Sequence, residues 1–394
     1  MDQPLADLRV IDLTRILAGP FCSMILGDLG ADVIKVESLP EGDHVRQQGA
    51  VLDGLSWYFA AFNRNKRSMT LDLRSEAGKA VLARLLEDAD VLVENYRPGV
   101  LAEMGFTPER LAEINPRLVV TSVNGYGSTG PYADRPAFDF IAQAMSGFMA
   151  VNGTPETGPL RAAPPVTDLV AGLYAALGTV AALRTRDRDG AGQRVEASMM
   201  MGMLSLMAYL SAAQLATGEV PKPSGNDHPI AAPYGLFRCA DGAVAVAPST
   251  TRILTRFLGQ LGLAHLIEDP RYDTVDKRRE RRAELNAMID AVTSRETVDD
   301  WIARLNAAGV PCGKVQSLAE VMEDPQVRHQ EMVLDVPHPG HGTVRMTGFP
   351  VKLSETPCTV RRPAPDLGAA TEEVLAEAGY SSEEIAALRA EGTV

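Results

Sequence analysis

The sequence predicts an α/β protein whose larger part is a parallel sheet covered by helices on both faces, joined to a smaller α+β part. Three observations carry this. Short, nearly continuous apolar runs alternate with helical stretches through the first half, the pattern of strands buried on both faces. A Pro- and Gly-rich stretch over 217–233 then interrupts the chain, and the texture changes after it. Finally, 394 residues are more than one ordinary core holds, which points to two domains.

The elements follow in order. LRVIDLT (8–14) reads as the first strand and AGPFCSMILGDLG (18–30) as a helix closed by Gly30. ADVIKVE (31–37), SMTLDL (68–73), DVLVENY (90–96) and LVVTSVN (118–124) are further strands, with helical stretches at 75–88, 98–104 and 107–114. This is a doubly wound layout. A long helix with Ala and Leu at helical spacing starts at Thr167. DRDGAGQ (187–193) is a turn, RVEASM a strand, and 199–217 a Met- and Leu-rich helix that packs a core. Beyond the 217–233 linker, YGLFRCADGAVAVAPS reads as a hairpin turning at Asp241-Gly242. Helices are expected near 251–262, 278–294 and 297–308, and a last one at 381–391. No internal repeat stands out.

Bulk properties exclude some functions. The net charge of -13 argues against nucleic acid or an anionic membrane as partner. No apolar run is expected to span a bilayer. The start, MDQPLADLRVIDL, lacks the basic n-region of a signal peptide. Four scattered cysteines (Cys22, Cys239, Cys312, Cys358) read as reduced thiols of a cytoplasmic protein. His338 and His341 are neighbours, but no third ligand completes a metal site.

GYGSTG (125–130) fits the dinucleotide fingerprint, but Pro131 follows where a helix should begin, and no acid lies about 20 residues on. Gly125, Gly127 and Gly130 read instead as a loop passing close to a ligand or another backbone, with N–H groups able to hold an oxyanion. Asp168 stands in PPVTDLVAG, where two prolines mark a helix start, so Thr167 or Asp168 lies at or near the N-cap. Capping alone is the simpler reading of that spacing. The same position keeps a carboxylate ionised through the helix dipole, and a partly desolvated carboxylate can attack a thioester carbonyl.

The runs DLTRILAGPFCSMILGDLGADVIKVE, NRNKRSMTLDL, VENYRPG, MGF, INPRL, GYGSTGPY, TDLVAG and GAGQRVEASM, with GVPCGKV and DPQVRH near the end, span nearly the whole chain. Taken together they resemble the family III CoA-transferases, the CaiB-BaiF group that includes formyl-CoA transferase. The resemblance implies a discontinuous Rossmann-like large domain over 1–216 and 326–394, a small α+β domain over 234–325, and an interlocked homodimer. It implies Asp168 as the catalytic residue, acyl-CoA and a small carboxylic acid as substrates, and no cofactor or metal beyond coenzyme A. Ile16, Leu17, Ala18, Leu71, Arg74, Asn95, Tyr96 and Met104 match the CoA-contacting positions. A guanidinium suits a phosphate and an aromatic face suits adenine or pantetheine.

Ser38 departs from the pattern, standing where many members have an Arg. The GGGGQ loop of formyl-CoA transferase is also absent, which weighs against formyl and oxalate substrates. The pattern is nearest the dicarboxylate branch typified by succinate–hydroxymethylglutarate transfer. This implies succinyl-CoA as donor and a C4–C6 dicarboxylate as acceptor. A dicarboxylate needs a cation for its distal carboxylate, for which Arg46 in GDHVRQQG is the candidate, a solvated surface Arg being the equal alternative. A 2-methylacyl-CoA racemase of the same family is one alternative. It needs two acid–base groups, and the racemases' His-Asp pair reads Phe138-Asp139 here. A non-catalytic CoA-binding protein is the other, and the presence of Asp168 speaks against it.

Overall fold

The computed structural model describes residues 2–394. Six parallel strands form the main sheet: β1 Arg9–Asp12, β2 Asp32–Glu37, β3 Lys66–Thr70, β4 Val91–Glu94, β5 Val119–Asn124 and β6 Arg194–Ser198. Their order is β3-β2-β1-β4-β5-β6, every neighbouring pair parallel. Val10, Ile11, Val33, Ile34 and Val91 to Val93 are buried on both faces, so the strands are apolar without alternation. One face packs on α1 (Ala18–Asp28) and the 24-residue α5 (Val166–Asp189). The other packs on α2 (Glu76–Glu87), α3 (Pro108–Ile114) and the C-terminal helices Thr371–Glu377 and Ser382–Ala390. Side chains cap the starts of α2, α3 and the last helix: Ser75, Thr107 and Ser381, the last in a full capping box with Glu384.

The chain divides into two compact units. The large one comprises Met1–Met149, Arg161–Glu219 and Arg328–Val394. Its tail is bound to the edge of the sheet: Ala370 N–H donates to Ser68 O (2.9 Å), Asp72 N–H to Thr393 O (2.8 Å), and Arg67 pairs with Glu373 and Glu377. The small unit, Ala150–Leu160 with Val220–Val327, holds a three-stranded antiparallel sheet and helices over a core of Phe237, Phe257 and Trp301.

Two boundaries differ from the sequence reading. The 150–160 segment groups with the small unit, where Gly225 N–H donates to Gly153 O (2.7 Å). Most of the expected linker does so too, because arginines fasten it: Arg278 donates to Ala232 O (2.9 Å) and Arg282 to His228 O (2.8 Å). The expected single helix over 199–217 is two, α6 (Met199–Ser205) and α7 (Ala208–Thr217), bent by 78°. Sequence reading also missed the helices α4 (Asp139–Met145) and Trp57–Asn63 and the hairpin Val333–Thr347.

The expectation of no spanning segment needs qualifying: α5 is long and apolar enough to cross a bilayer, with a mean hydropathy of 1.7 over its window. Its Ala171, Ala175, Ala176 and Thr179 are buried in the core against α1 and the sheet, as in a core helix.

Candidate active site

The strand order reverses direction between β1 and β4, and in such sheets ligands bind outside the carboxyl ends of the strands at that point. Two cavities lie there. One, of about 350 Å³, is lined by the loop after β1 (Arg15 to Ala18), the loop after β4 (Asn95 to Pro98), the end of β5, and Ala137, Phe138, Asp168 and Met199. The other, of about 390 Å³, is lined by the loops after β2 (Ser38 to His44) and β3 (Leu71 to Arg74), with Val100 and Met104. Arg15, His44 and Tyr96 line both, so the two form one groove with these side chains at its neck.

The eight expected CoA-contacting positions fall along this groove. Ile16, Leu17, Ala18 and Asn95 face the first cavity, Leu71, Arg74 and Met104 the second, and Tyr96 both. Asn95 bridges backbone across the switch point: its side chain accepts from Arg15 N–H (3.0 Å) and donates to Arg15 O (2.8 Å). Arg74 is exposed and lines the second cavity, as Ser38 does.

Asp168 lies in the first turn of α5, whose N-cap is Pro165, so it sits inside the helix rather than at the cap. The dipole expectation needs correcting. Burial against apolar walls, then the charge of Asp139, push the Asp168 carboxyl up to about 7. Val123, Ala137 and Met199 supply those walls. Asp139 does the capping work: it accepts from Thr167 N–H (2.9 Å), Thr167 Oγ1 (2.8 Å) and Gln143 Nε2 (2.7 Å).

Two expected site groups stand elsewhere. Arg46 lines neither cavity. Its Nε and Nη2 donate to Glu37 (2.8 and 2.6 Å), its Nη1 to Pro365 O (3.1 Å), and its guanidinium lies 3.7 Å from the Phe59 ring centre. A fork already filled by a carboxylate has little left for a substrate. Of the loop glycines only Gly125 lines the first cavity. Gly127 donates its N–H to Asn124 Oδ1 (2.6 Å), so that group is not aimed at an oxyanion, and Gly130 faces neither cavity. Gly125 is glycine for space: a Cβ there would meet the Ala137 Cβ at 2.3 Å.

Other groups were not singled out by sequence. Arg15 sat in plain view in DLTRILAGP, and His44 and Arg135 in their loops, but nothing in their spacing marks them. Tyr58 lies on the helix Trp57–Asn63; burial, then the charges of Asp168 and Asp43, push its hydroxyl up to about 12. Beneath the groove runs a row of buried charges. Lys66 pairs with Asp12 (3.1 Å) and Lys35 with Asp43 (3.0 Å), all four side chains fully buried. Burial alone would raise the Asp12 carboxyl, but Lys66 and Lys35 outweigh it and hold it low. Among the described residues no cluster of His, Cys, Asp and Glu could hold a metal.

Residues 5–371 match the CoA-transferase family III. The chain belongs to that family. Its central sheet and site geometry sit within a fold shared with solved members. A CAIB/BAIF family protein from Brucella suis aligns with a TM-score of 0.85 at 36% identity, over 96% of this chain and 100% of that one. Among curated relatives, the succinyl-CoA–D-citramalate CoA-transferase of Chloroflexus aurantiacus is 36% identical over 100% of this chain and 98% of its own length. The succinate–glutarate CoA-transferase of Agrobacterium fabrum is 35% identical over 95% of each. The formyl-CoA:oxalate CoA-transferase of Streptomyces coelicolor is 38% identical over 99% of each. This family III protein is therefore a CoA-transferase.

Proposed function

We propose that the enzyme moves CoA from succinyl-CoA to a C4–C6 dicarboxylate through a covalent step on Asp168. The observation that carries this is the placement of Asp168 in the wall of a cavity that continues past Tyr96 into the cavity bearing Arg74. A CoA lying along the groove has its phosphates at Arg74, its pantetheine arm across Tyr96 and its thioester at Asp168. The Asp168 carboxylate attacks the thioester carbonyl and expels the CoA thiolate, leaving a mixed anhydride. The thiolate then attacks the aspartyl carbonyl, which frees the donor acid and leaves an aspartyl-CoA thioester. The acceptor carboxylate attacks that thioester, a second anhydride forms, and the returning thiolate cleaves it to the new acyl-CoA and regenerates Asp168. No separate base is required, because the acceptor is already an anion.

Relatives that transfer CoA to citramalate and glutarate support a dicarboxylate acceptor, while those acting on oxalate keep a shorter diacid as the second reading. With Arg46 committed to Glu37, Arg135 takes the role of distal cation. It lines only the Asp168 cavity, its guanidinium 3.9 Å from the Tyr132 ring centre. Phe138 lines the same cavity and cannot carry a proton, and Asp139 is held by Thr167, so the two-base racemase reading lacks its second base. The exposed apolar side chains of α5 to α7, including Leu173, Leu177 and Leu215, support the homodimer. Four free thiols fit a cytoplasmic setting. The deciding experiment is a panel of mono- and dicarboxylic acids with succinyl-CoA, each product thioester read by mass spectrometry. Acceptance of monocarboxylates alone would sink the substrate assignment. A monomer at low concentration in light scattering would sink the dimer.

A further inference from the structure

We propose that Lys35 and Asp43 are positioning residues of the transfer reaction: they clamp Ile16 in a left-handed conformation and so set the Arg15–Ala18 loop at the neck of the groove. The inference rests on the reading of Asp168 as nucleophile.

Ile16 has φ +69°, a region that a β-branched side chain rarely enters. Such a conformation persists only where its surroundings over-determine it. Here they do. The Ile16 N–H donates to both carboxylate oxygens of Asp43 (3.0 and 3.1 Å). Lys35 Nζ donates to Asp43 Oδ2 (3.0 Å) and to Thr14 O (2.7 Å), so one ammonium ties the loop's start to the group that holds its centre. Asp43 is itself fixed by its own N–H on Glu37 Oε1 (3.0 Å), and Glu37 by Arg46. The committed Arg46 is thus the outer end of the clamp.

A buried ion pair is weak evidence for stability, since apolar residues of like volume often serve as well. What this pair supplies and an apolar pair could not is two acceptor oxygens for one strained amide and a donor for Thr14 O. The consequences fall on the site. Arg15 and His44, the sequence neighbours of Ile16 and Asp43, are two of the three side chains shared by both cavities. Ala18 O lies 2.5 Å from where a Cβ on Gly172 would stand, and Gly172 is one turn beyond Asp168 on α5. The loop therefore touches both the thioester's path and the helix that bears the nucleophile. Releasing Ile16 shifts one against the other, and the loss appears in kcat more than in CoA affinity.

Two pairs of variants test this, with Asp168→Asn as control. K35M/D43N and K35M/D43L both remove the ion pair, but only the first leaves an oxygen for the Ile16 amide. Ile16→Gly keeps the N–H and the left-handed φ without strain, whereas Ile16→Pro abolishes both, and neither touches the buried charges. The second member of each pair is expected to have a kcat about tenfold or more below the first, with the Kd for CoA within about threefold. Equal kcat within the Ile16 pair overturns the inference, whether or not the buried double variants fold. So does a fall in CoA affinity and melting temperature in step with kcat, which marks a purely structural role. Turnover retained by Asp168→Asn would instead overturn the reading of the site.

Discussion

The two ends of the groove differ in how they treat a charge. At the Asp168 end Val123, Ala137 and Met199 partly bury the carboxyl and Asp139 stands nearby, so its pKa is pushed up to about 7. At the other end the Ser38, Glu41 and Arg74 side chains are exposed, so a charge there keeps its hydration. The proposed chemistry needs a group poised between protonation states, while anchoring a phosphate needs only a cation that can reach it. The difference teaches that variants at one end should change rate and those at the other affinity.

The largest effect expected is at the Asp168 end. Asp168→Ala and Asp168→Asn should lower transfer by on the order of 10³-fold or more while CoA still binds, checked by turnover and by trapping of the aspartyl thioester. Near-wild-type turnover in either would break the comparison.

Removing Arg46 is next, and its effect is on stability. Its partner Glu37 is 2% exposed at the side chain and Arg46 14%. Arg46→Ala leaves Glu37 with only Ser68, the Asp43 amide and the nearby Lys35 charge, and should cost about 1.5–3 kcal/mol in unfolding free energy. Denaturant titration gives that number. The same variant should not discriminate dicarboxylate from monocarboxylate acceptors, whereas Arg135→Gln should weaken dicarboxylates by about tenfold.

The pH dependence sharpens the contrast further. Only ionised Asp168 attacks, so kcat/KM should fall about tenfold per unit below pH 7 if that group governs the first step. Asp139→Asn, which removes the neighbouring charge, should move the profile to lower pH. The stability sign runs the other way. The folded pKa is raised, so the protein is favoured at low pH and loses that stability as pH rises from the unfolded value of 3.8 to about 7. Asp168→Asn should therefore raise the melting temperature at pH 8 relative to wild type and change it little at pH 4. Equal shifts at both values would mean that burial does not control the group.

The smallest effect is at the Arg74 end. Arg74→Ala should raise KM for acyl-CoA by about tenfold or less, lose most of that difference at high salt, and leave kcat alone. Removing the 3′-phosphate from the substrate should erase the difference between variant and wild type.

Much of this was legible in the sequence. Nearly continuous apolar strands are the mark of a two-sided sheet, and those at 8–14, 31–37, 90–96 and 118–124 indicated the class and the face where ligands gather. The groove was legible through motif residues that line it from Ile16 to Met104. The loop of GYGSTG showed no following helix, and in the structure the next one begins only at Asp139. Local signals of this kind survive because strand burial, caps and glycine turns are decided within a few residues.

What the tertiary structure alone decided is electrostatic. Sequence placed Asp168 beside a helix N-terminus and so expected an ordinary anion; the neighbours that raise its pKa, Asp139 and the Met199 wall, come from elsewhere in the chain. Arg46 looked like a free cation in a surface loop until Glu37 and Phe59 closed on it. Lys35 lies within the expected strand 31–37 and Lys66 just before that at 68–73, with nothing to mark either, yet both end in fully buried pairs beneath the groove. A charge's behaviour depends on the dielectric around it and on partners at close range, and neither is a property of its neighbours in sequence.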